Sequence, residues 1–185
     1  MSFYLPFEAV DVELDAKPFG DAFAALVESW DTTDLHADIG EHLLNATDER
    51  FEAERAPDGT PWAPLSPATL VSQYESRGRT KRAFKQRTRR GEFQVTAGFG
   101  RFLESKRILQ DKGLRGGLRG DVSYRAEDGR VSVGVSKIYG RRQHLGDEDQ
   151  SAPGAIPARP YVGVANDDEV VIASIVRRWT AEQAT

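Results

Sequence analysis

Apolar residues recur at helical spacing along the N-terminal third. Phe19, Phe23, Leu26, Val27 and Trp30 form one stripe behind Pro18, and Leu35, Ile39, Leu43 and Phe51, with Ala46, form a second. Thr32 or Thr33 is placed to cap the second helix, and the turn chemistry of Ala56-Pro57-Asp58-Gly59 predicts its end near Arg55. Ahead of both stripes, Phe7, Ala9 or Val10, Val12 and Leu14 alternate roughly with acids, which predicts a strand or extended arm over 7–14 within an acidic segment 1–18. In TPWAPLSPATL the prolines on either side of Trp62 make a stiff segment that holds the indole against the core. Ser66 before Pro67 predicts a helix start, with the end near Gly78.

The pattern changes after residue 120. In DVSYRAEDGRVSVGVS, Val122 and Tyr124 alternate toward Asp128-Gly129, and Val131, Val133 and Val135 alternate on the return, which predicts a β-hairpin. Between 77 and 120 the chain is basic and punctuated by glycines, with a short helix expected from Phe99 to Leu109. Tyr139 to Leu145 fits one or two helical turns, residues 146–155 a loop, and Tyr161 to Val164 a short strand. The last helix has Asn166 as its cap, with Glu169 three residues on. Val171, Ile175 and Trp179 form its stripe, with Ile172 and Val176 alongside. Helices, then a hairpin, then a helix predict an α+β fold: a small antiparallel sheet containing the hairpin, packed against N- and C-terminal helices. One domain over 1–185 is expected, with 77–106 inserted as a basic flexible arm, because that stretch has too few apolar residues to order itself by burial.

Charge sharpens this picture. Residues 1–58 carry 15 acids against 3 basic residues, whereas 77–119 carry 14 basic residues against 3 acids. Such a split points to a partner of complementary charge, either nucleic acid or the acidic third of another copy; the plain alternative is two solvated faces. The chain has no cysteine, which excludes disulfides, thiolate metal sites and cysteine nucleophiles. No apolar run reaches the ~20 residues of a membrane span, and the acidic N-terminus lacks the basic region of a signal peptide, so the chain is expected to act in a cytosol.

Candidate chemistry is sparse. His36 and His42 are six residues apart and face different directions on a helix. Asp34, Asp38 and Glu41 share a helix face, for which a solvated acidic surface is the simpler reading than a cation site. His144 near Asp147, Glu148 and Asp149 has no evident third group to fix its geometry, and neither a nucleophile elbow nor a phosphate loop is present. An enzyme is therefore not expected, and neither is a cofactor or a metal. The basic segment, with Phe84, Phe93, Phe99 and Phe102 among its cations, suits salt-sensitive, non-specific contact with nucleic acid, although no recognition motif accompanies it.

Three segments in order carry a resemblance: FEAERAPDGTPWAPLSPATL (51–70), RILQDKGLRGGL (107–118) and VSVGVSKIYGRRQHLGDEDQSAPGAIPARPYVGV (131–164). Together they resemble the phage virion morphogenesis, or tail completion, family of tailed bacteriophages and Mu-like or P2-like prophages. That family shows a D-G-x-P-W-x-P-L turn after a helix, then an I-L-x-x-T-G-x-L stretch and a hairpin. A Y-A-x-x-H-Q-x-G-like stretch and I-P-x-R-P-F before a final helix complete the pattern. Here Gly140 stands in place of the alanine, Lys112-Gly113 in place of Thr-Gly, and Gln143-His144 in reversed order.

The resemblance implies a structural subunit of the virion neck, acting in tail closure and head–tail joining. It would be assembled in the host cytoplasm as a ring, a hexamer matching tail symmetry. Tail tube and neck or connector proteins would be its partners, with non-specific contact to packaged DNA possible in a channel. Candidate interface or channel residues are Arg77, Arg79, Lys81, Arg82, Lys85, Arg87, Arg89 and Arg90 of the arm, with Arg141, Arg142 and Arg159. Arg159 suits either a buried or intersubunit ion pair or an exposed position. Trp62, Tyr139, Tyr161 and Trp179 are expected as structural anchors, and Gln143 and His144 as packing and hydrogen-bonding residues.

Overall fold

The computed structural model describes residues 10–11, 31–78, 81–85, 94–110, 117–149, 151–152 and 154–183. The helix expected over 19–30 lies outside them, as do Arg79, Arg87, Arg89 and Arg90. The described residues form β1 (Val10–Asp11), α1 (Thr33–Ala53), α2 (Pro67–Glu75), α3 (Ala97–Ser105), a short 3-10 turn (Arg119–Asp121), β2 (Val122–Glu127), β3 (Arg130–Val135), α4 (Gly140–Leu145) and α5 (Asn166–Gln183). This is an α+β arrangement. β2 and β3 pair antiparallel with Val122 opposite Val135 and Glu127 opposite Arg130, and the two-residue β1 adds to the outer edge of β3 through Val10 opposite Val133.

Helix α1 lies across the hairpin, and α5 packs against α1. The main core gathers Leu35, Ile39, Leu43 and Phe51 from α1, Val131 and Val133 from β3, Ile172, Ile175 and Trp179 from α5, and Trp62, Leu118, Tyr161 and Val162 from the connections. The stripe of α5 is rotated from the sequence expectation. Ile172, Ile175 and Trp179 are buried, while Val171 faces outward, because Asp168 one turn earlier occupies the inward position.

The hairpin tip is fastened to the start of α1. Gly129 adopts φ 74°, a conformation open to glycine without strain, and its N–H donates to Thr32 Oγ1 at 2.8 Å. Asp128 Oδ1 in turn accepts from the Thr32 amide at 3.0 Å and from its hydroxyl at 2.7 Å. Thr32 therefore spends its hydroxyl on the hairpin rather than on capping α1. The helix closes at Glu54, whose left-handed conformation (φ 53°) sends its amide back to Arg50 O.

A second, smaller core lies in a side lobe built from α2, α3 and the segment between them. Tyr74, Ala83, Phe99 and Phe102 are its buried members, with Leu70 and Val71 packed alongside. Ser66 and Thr96 cap α2 and α3, each accepting from the backbone N–H three residues on. Residues 83–85 and 94–96 run antiparallel, joined by Lys85 N–H to Gln94 O at 2.8 Å and Thr96 N–H to Ala83 O at 2.9 Å. Part of the basic segment thus owns an aromatic core. The expected helix to Leu109 ends earlier, at Ser105, since Lys106 is extended and Leu109 takes φ 60°.

The strand expected at Tyr161–Val164 is not formed, although Tyr161 and Val162 are buried. The backbone there bonds to side chains instead of a ladder. Tyr161 N–H donates to His144 Nδ1, Pro160 O accepts from Trp62 Nε1, and Gly163 O accepts from Arg50.

Candidate functional site

The segments that carried the resemblance converge in space. The turn at Trp62, the helix α4 with its flanks and the connector 156–161 meet beside Phe51. Trp62 is buried; its indole N–H donates to Pro160 O at 2.8 Å and its ring meets Phe51 edge-on at 5.4 Å. Tyr161 packs against the same phenylalanine at 5.4 Å. The remaining segment joins from below: Ile108 N–H donates to Glu54 Oε1 at 2.7 Å, and Gln110 Nε2 to Phe51 O at 2.5 Å.

Arg159 sits at the centre of this junction, only 3% exposed. No carboxylate among the described residues pairs with it, so both the exposed position and an ion pair within the described residues are corrected. Its Nε donates to Ala63 O at 2.8 Å, its Nη2 to Pro64 O at 3.2 Å, and its Nη1 to Gln143 Oε1 at 3.5 Å. Its amide donates to Gln143 O at 2.9 Å. The guanidinium fork suits this task, presenting several donors in fixed directions to carbonyls that the prolines hold rigid. Burial alone pushes the guanidinium pKa down from its usual range.

The tight fit at α4 accounts for Gly140. A Cβ there would stand 2.2 Å from Val135 Cγ2 and 3.0 Å from the Tyr161 hydroxyl, so the alanine of the family pattern has no room in this chain. Trp62, Tyr161 and Trp179 are buried, whereas Tyr139 is exposed at the start of α4.

His144 is bound into the junction and not into an acid–base cluster. Its Nδ1 accepts from Tyr161 N–H at 3.3 Å, which leaves the proton of the neutral ring on Nε2, and its ring stands edge-on to Tyr161 at 5.0 Å. Asp147 is fixed elsewhere. Arg142 grips it through Nε at 2.5 Å and Nη2 at 2.8 Å, and it accepts from Ile156 N–H at 2.9 Å. These bonds, Arg142's first, hold the Asp147 carboxyl down at about 2.

Burial lowers the His144 pKa below the ordinary value of about 6.5. The unfolded chain therefore binds this proton more readily, and the histidine's contribution to stability is present above about pH 6.5 and lost as pH falls below it. The urea midpoint of the wild type is expected to drop between pH 7.5 and pH 5.5, and the drop to shrink in His144→Gln. An equal drop in both proteins would contradict this. Asp147 adds to the pH dependence only at lower pH, its stabilisation being present above about 4 and lost as pH falls toward about 2.

The buried polar centre that the sequence did not disclose joins α1 to α5. Arg50 and Asp168, both under 10% exposed, form a short ion pair through Nη2 and Oδ2. Arg50 Nη1 also donates to Gly163 O at 2.8 Å, His42 Nε2 lies 3.0 Å from Asp168 Oδ1, and Ala165 N–H donates to Asp168 Oδ2 at 2.7 Å. Asp168 thus closes the first turn of α5, a role the sequence pattern assigns to Glu169. The helix begins one residue earlier than that pattern assumes: Asn166 is already helical and Ala165 precedes it. The only signal in the sequence was the run of acids at 167–169.

The interface candidates are not brought into one cluster. Arg77 lies over the Phe102 ring at 4.7 Å, Lys81 over Tyr74 at 5.7 Å, and Lys106 over Phe102 at 6.0 Å, all on the side lobe. Burial, with Arg77 nearby, lowers the Lys106 pKa. Arg82 and Lys85 are exposed on the same lobe, Arg141 and Arg142 are exposed on α4, and Arg159 is buried. The acidic and basic segments do touch within one chain, where Arg119 pairs with Asp48 and, at 2.8 Å, with Glu52. Asp38 is engaged by Arg178 at 2.7 Å. Among the described residues, no group of three or more metal-ligating side chains is disposed to hold an ion, and no helix is long and apolar enough to cross a membrane.

Fold and junction together define a small α+β protein whose most deeply placed polar residues serve its own architecture, with opposite charges on α1 and on the side lobe. The chain matches the phage virion morphogenesis family over residues 14–101 and 100–181, and it belongs to that family. It is similar to Mu-like prophage FluMu G protein 1 of Haemophilus influenzae, with 24% identity over 173 residues that cover 94% of this chain and 96% of the relative. No solved structure matches it. A bacteriophage morphogenesis role follows from the family.

Proposed function

We propose that this protein is a structural subunit of the bacteriophage neck, a tail-terminator or tail-completion protein that closes the finished tail and takes part in head–tail joining. Family membership over nearly the whole chain carries this reading. It is supported by the use of the family motifs to lock Trp62, Arg159 and Tyr161 together as architecture. The working form is a homo-oligomeric ring, a hexamer that matches tail symmetry, seated between the tail tube and the neck or connector proteins. The separation of charge between α1 and the side lobe suits a subunit completed by copies of itself.

A non-specific nucleic-acid contact is the second reading. Phe84, 41% exposed beside Lys85, gives a stacking surface within a basic lobe. The mass of the protein in solution separates the two. A discrete ring-sized species formed without DNA is the expected result. A monomer that changes mass only when DNA is added, and releases it steeply with salt, would overturn the ring in favour of the second reading.

A further inference from the structure

Two outer surfaces of the molecule are chemically matched. On α1, Asp34, Glu41 and Glu49 are exposed and have no ion-pair partner among the described residues, unlike Asp38, Asp48 and Glu52. Beside them runs the outer flank of α5. Arg178 reaches across to Asp38 from that flank, and Val171, seven residues before Arg178, shares its side of the helix. Val171 is 39% exposed and Val170 is 71% exposed. The result is an acidic surface with an apolar strip along one edge.

The side lobe offers the complement. Phe84 and Val95 face each other across the short antiparallel ladder and are both exposed. Phe84 meets Phe99 at 5.8 Å, and Leu103, exposed one turn along α3 from Phe99, extends the same apolar strip. The described cations of the lobe include Arg77, Arg82, Lys85 and Arg101, against Glu104 on α3 and Glu75 on α2, the latter accepting from Ala83 N–H. The lobe has its own small core, so it is ordered by contacts other than those of the main core.

We infer that the apolar and basic side of the lobe docks on the acidic α1 surface and the Val170–Val171 strip of a second copy, head to tail. Different patches on the two partners make a heterologous contact, the kind that closes into a ring. Charge complementarity fixes the choice of partner, and the exposed apolar residues at the centre of each patch supply the buried area. The inference rests on the ring reading above and specifies the surfaces that build it.

The absence of native cysteines makes the test direct. Two single-cysteine proteins, Leu103→Cys and Val171→Cys, are mixed and treated with a short bis-maleimide. The covalent heterodimer is expected to exceed either homodimer several-fold. Alongside, Arg82→Glu with Lys85→Glu, and separately Glu41→Lys with Glu49→Lys, are expected to weaken self-association at least tenfold by sedimentation. Mixing the two charge variants should restore it. All four positions are exposed, so unchanged circular dichroism serves as the folding control. Homodimers alone, or charge variants that assemble like the wild type while the wild type sediments as an oligomer, would overturn the assigned surfaces and leave the ring intact. A wild type that stays monomeric at every concentration and salt would overturn the ring and this contact together.

Discussion

Replacing Asp168 by alanine is expected to cost about 3–5 kcal/mol of folding stability, the usual consequence of leaving one member of a buried ion pair without its partner. Arg50 would keep its bond to Gly163 O but lose its counter-charge while remaining buried. The first turn of α5 would also lose the carboxylate that accepts from Ala165 N–H. Such a loss is a large share of the stability of an ordinary domain, roughly 5–15 kcal/mol. Urea denaturation measures it. Asp168→Ala combined with Arg50→Met should be less destabilised than the sum of the two single variants, because the double variant buries no unpaired charge. Additive costs would mean that the two groups act independently and that the pair is not the coupling element between α1 and α5.

Trp62→Ala is expected to be comparably severe, about 3–5 kcal/mol for an aromatic removed from a packed interior. The indole fills space beside Phe51, and its N–H satisfies Pro160 O, so truncation opens a cavity and orphans a carbonyl in one step. Trp62→Phe separates these effects. It restores much of the volume but not the donor, and should recover part of the loss. A Trp62→Ala protein with an unchanged urea midpoint would show that the three motif segments are held together without the indole, against the geometry of the junction.

Both predictions concern residues whose partners are far away in the chain, and that distance marks the limit of what the sequence discloses. The hairpin was legible because its signals are local: alternating valines, and a glycine at the one turn position that needs positive φ. Helix α1 was legible for the same reason, since its stripe of Leu35, Ile39, Leu43 and Phe51 is complete within itself. Arg50 gave no such signal. A lone arginine near the end of an acidic helix looks solvated until Asp168, 118 residues later, is placed against it. Tyr161 to Val164 misled in the opposite direction. Its composition suits a strand, but tertiary bonds from Trp62 and Arg50 claimed the carbonyls that a ladder would need. Arg159 carries no local signal of its surroundings: its charge suggests a carboxylate or solvent, whereas the proline-framed segment at Ala63 and Pro64 supplies carbonyls. The side-lobe core is hidden because Tyr74, Ala83 and the Phe99–Phe102 pair come from three separate stretches, and none of these looks like a core alone.

The two cores also differ in how soon synthesis can complete them. Contacts that define the side lobe close short loops: Glu75 reaches Ala83 at a separation of 8 residues, and Arg82 reaches Thr96 at 14. The main core waits for Thr32 to meet Asp128, Trp62 to meet Pro160 and Arg50 to meet Asp168, at separations of 96, 98 and 118 residues. Low contact order favours early folding, and long loops delay it. On the ribosome the lobe can therefore collapse while α1 still displays an uncovered apolar face, which the hairpin covers in part and the last helix closes only when it emerges. A nascent chain with this topology spends most of its synthesis dependent on a segment that does not yet exist, which makes the C-terminal helix the step that completes the main core.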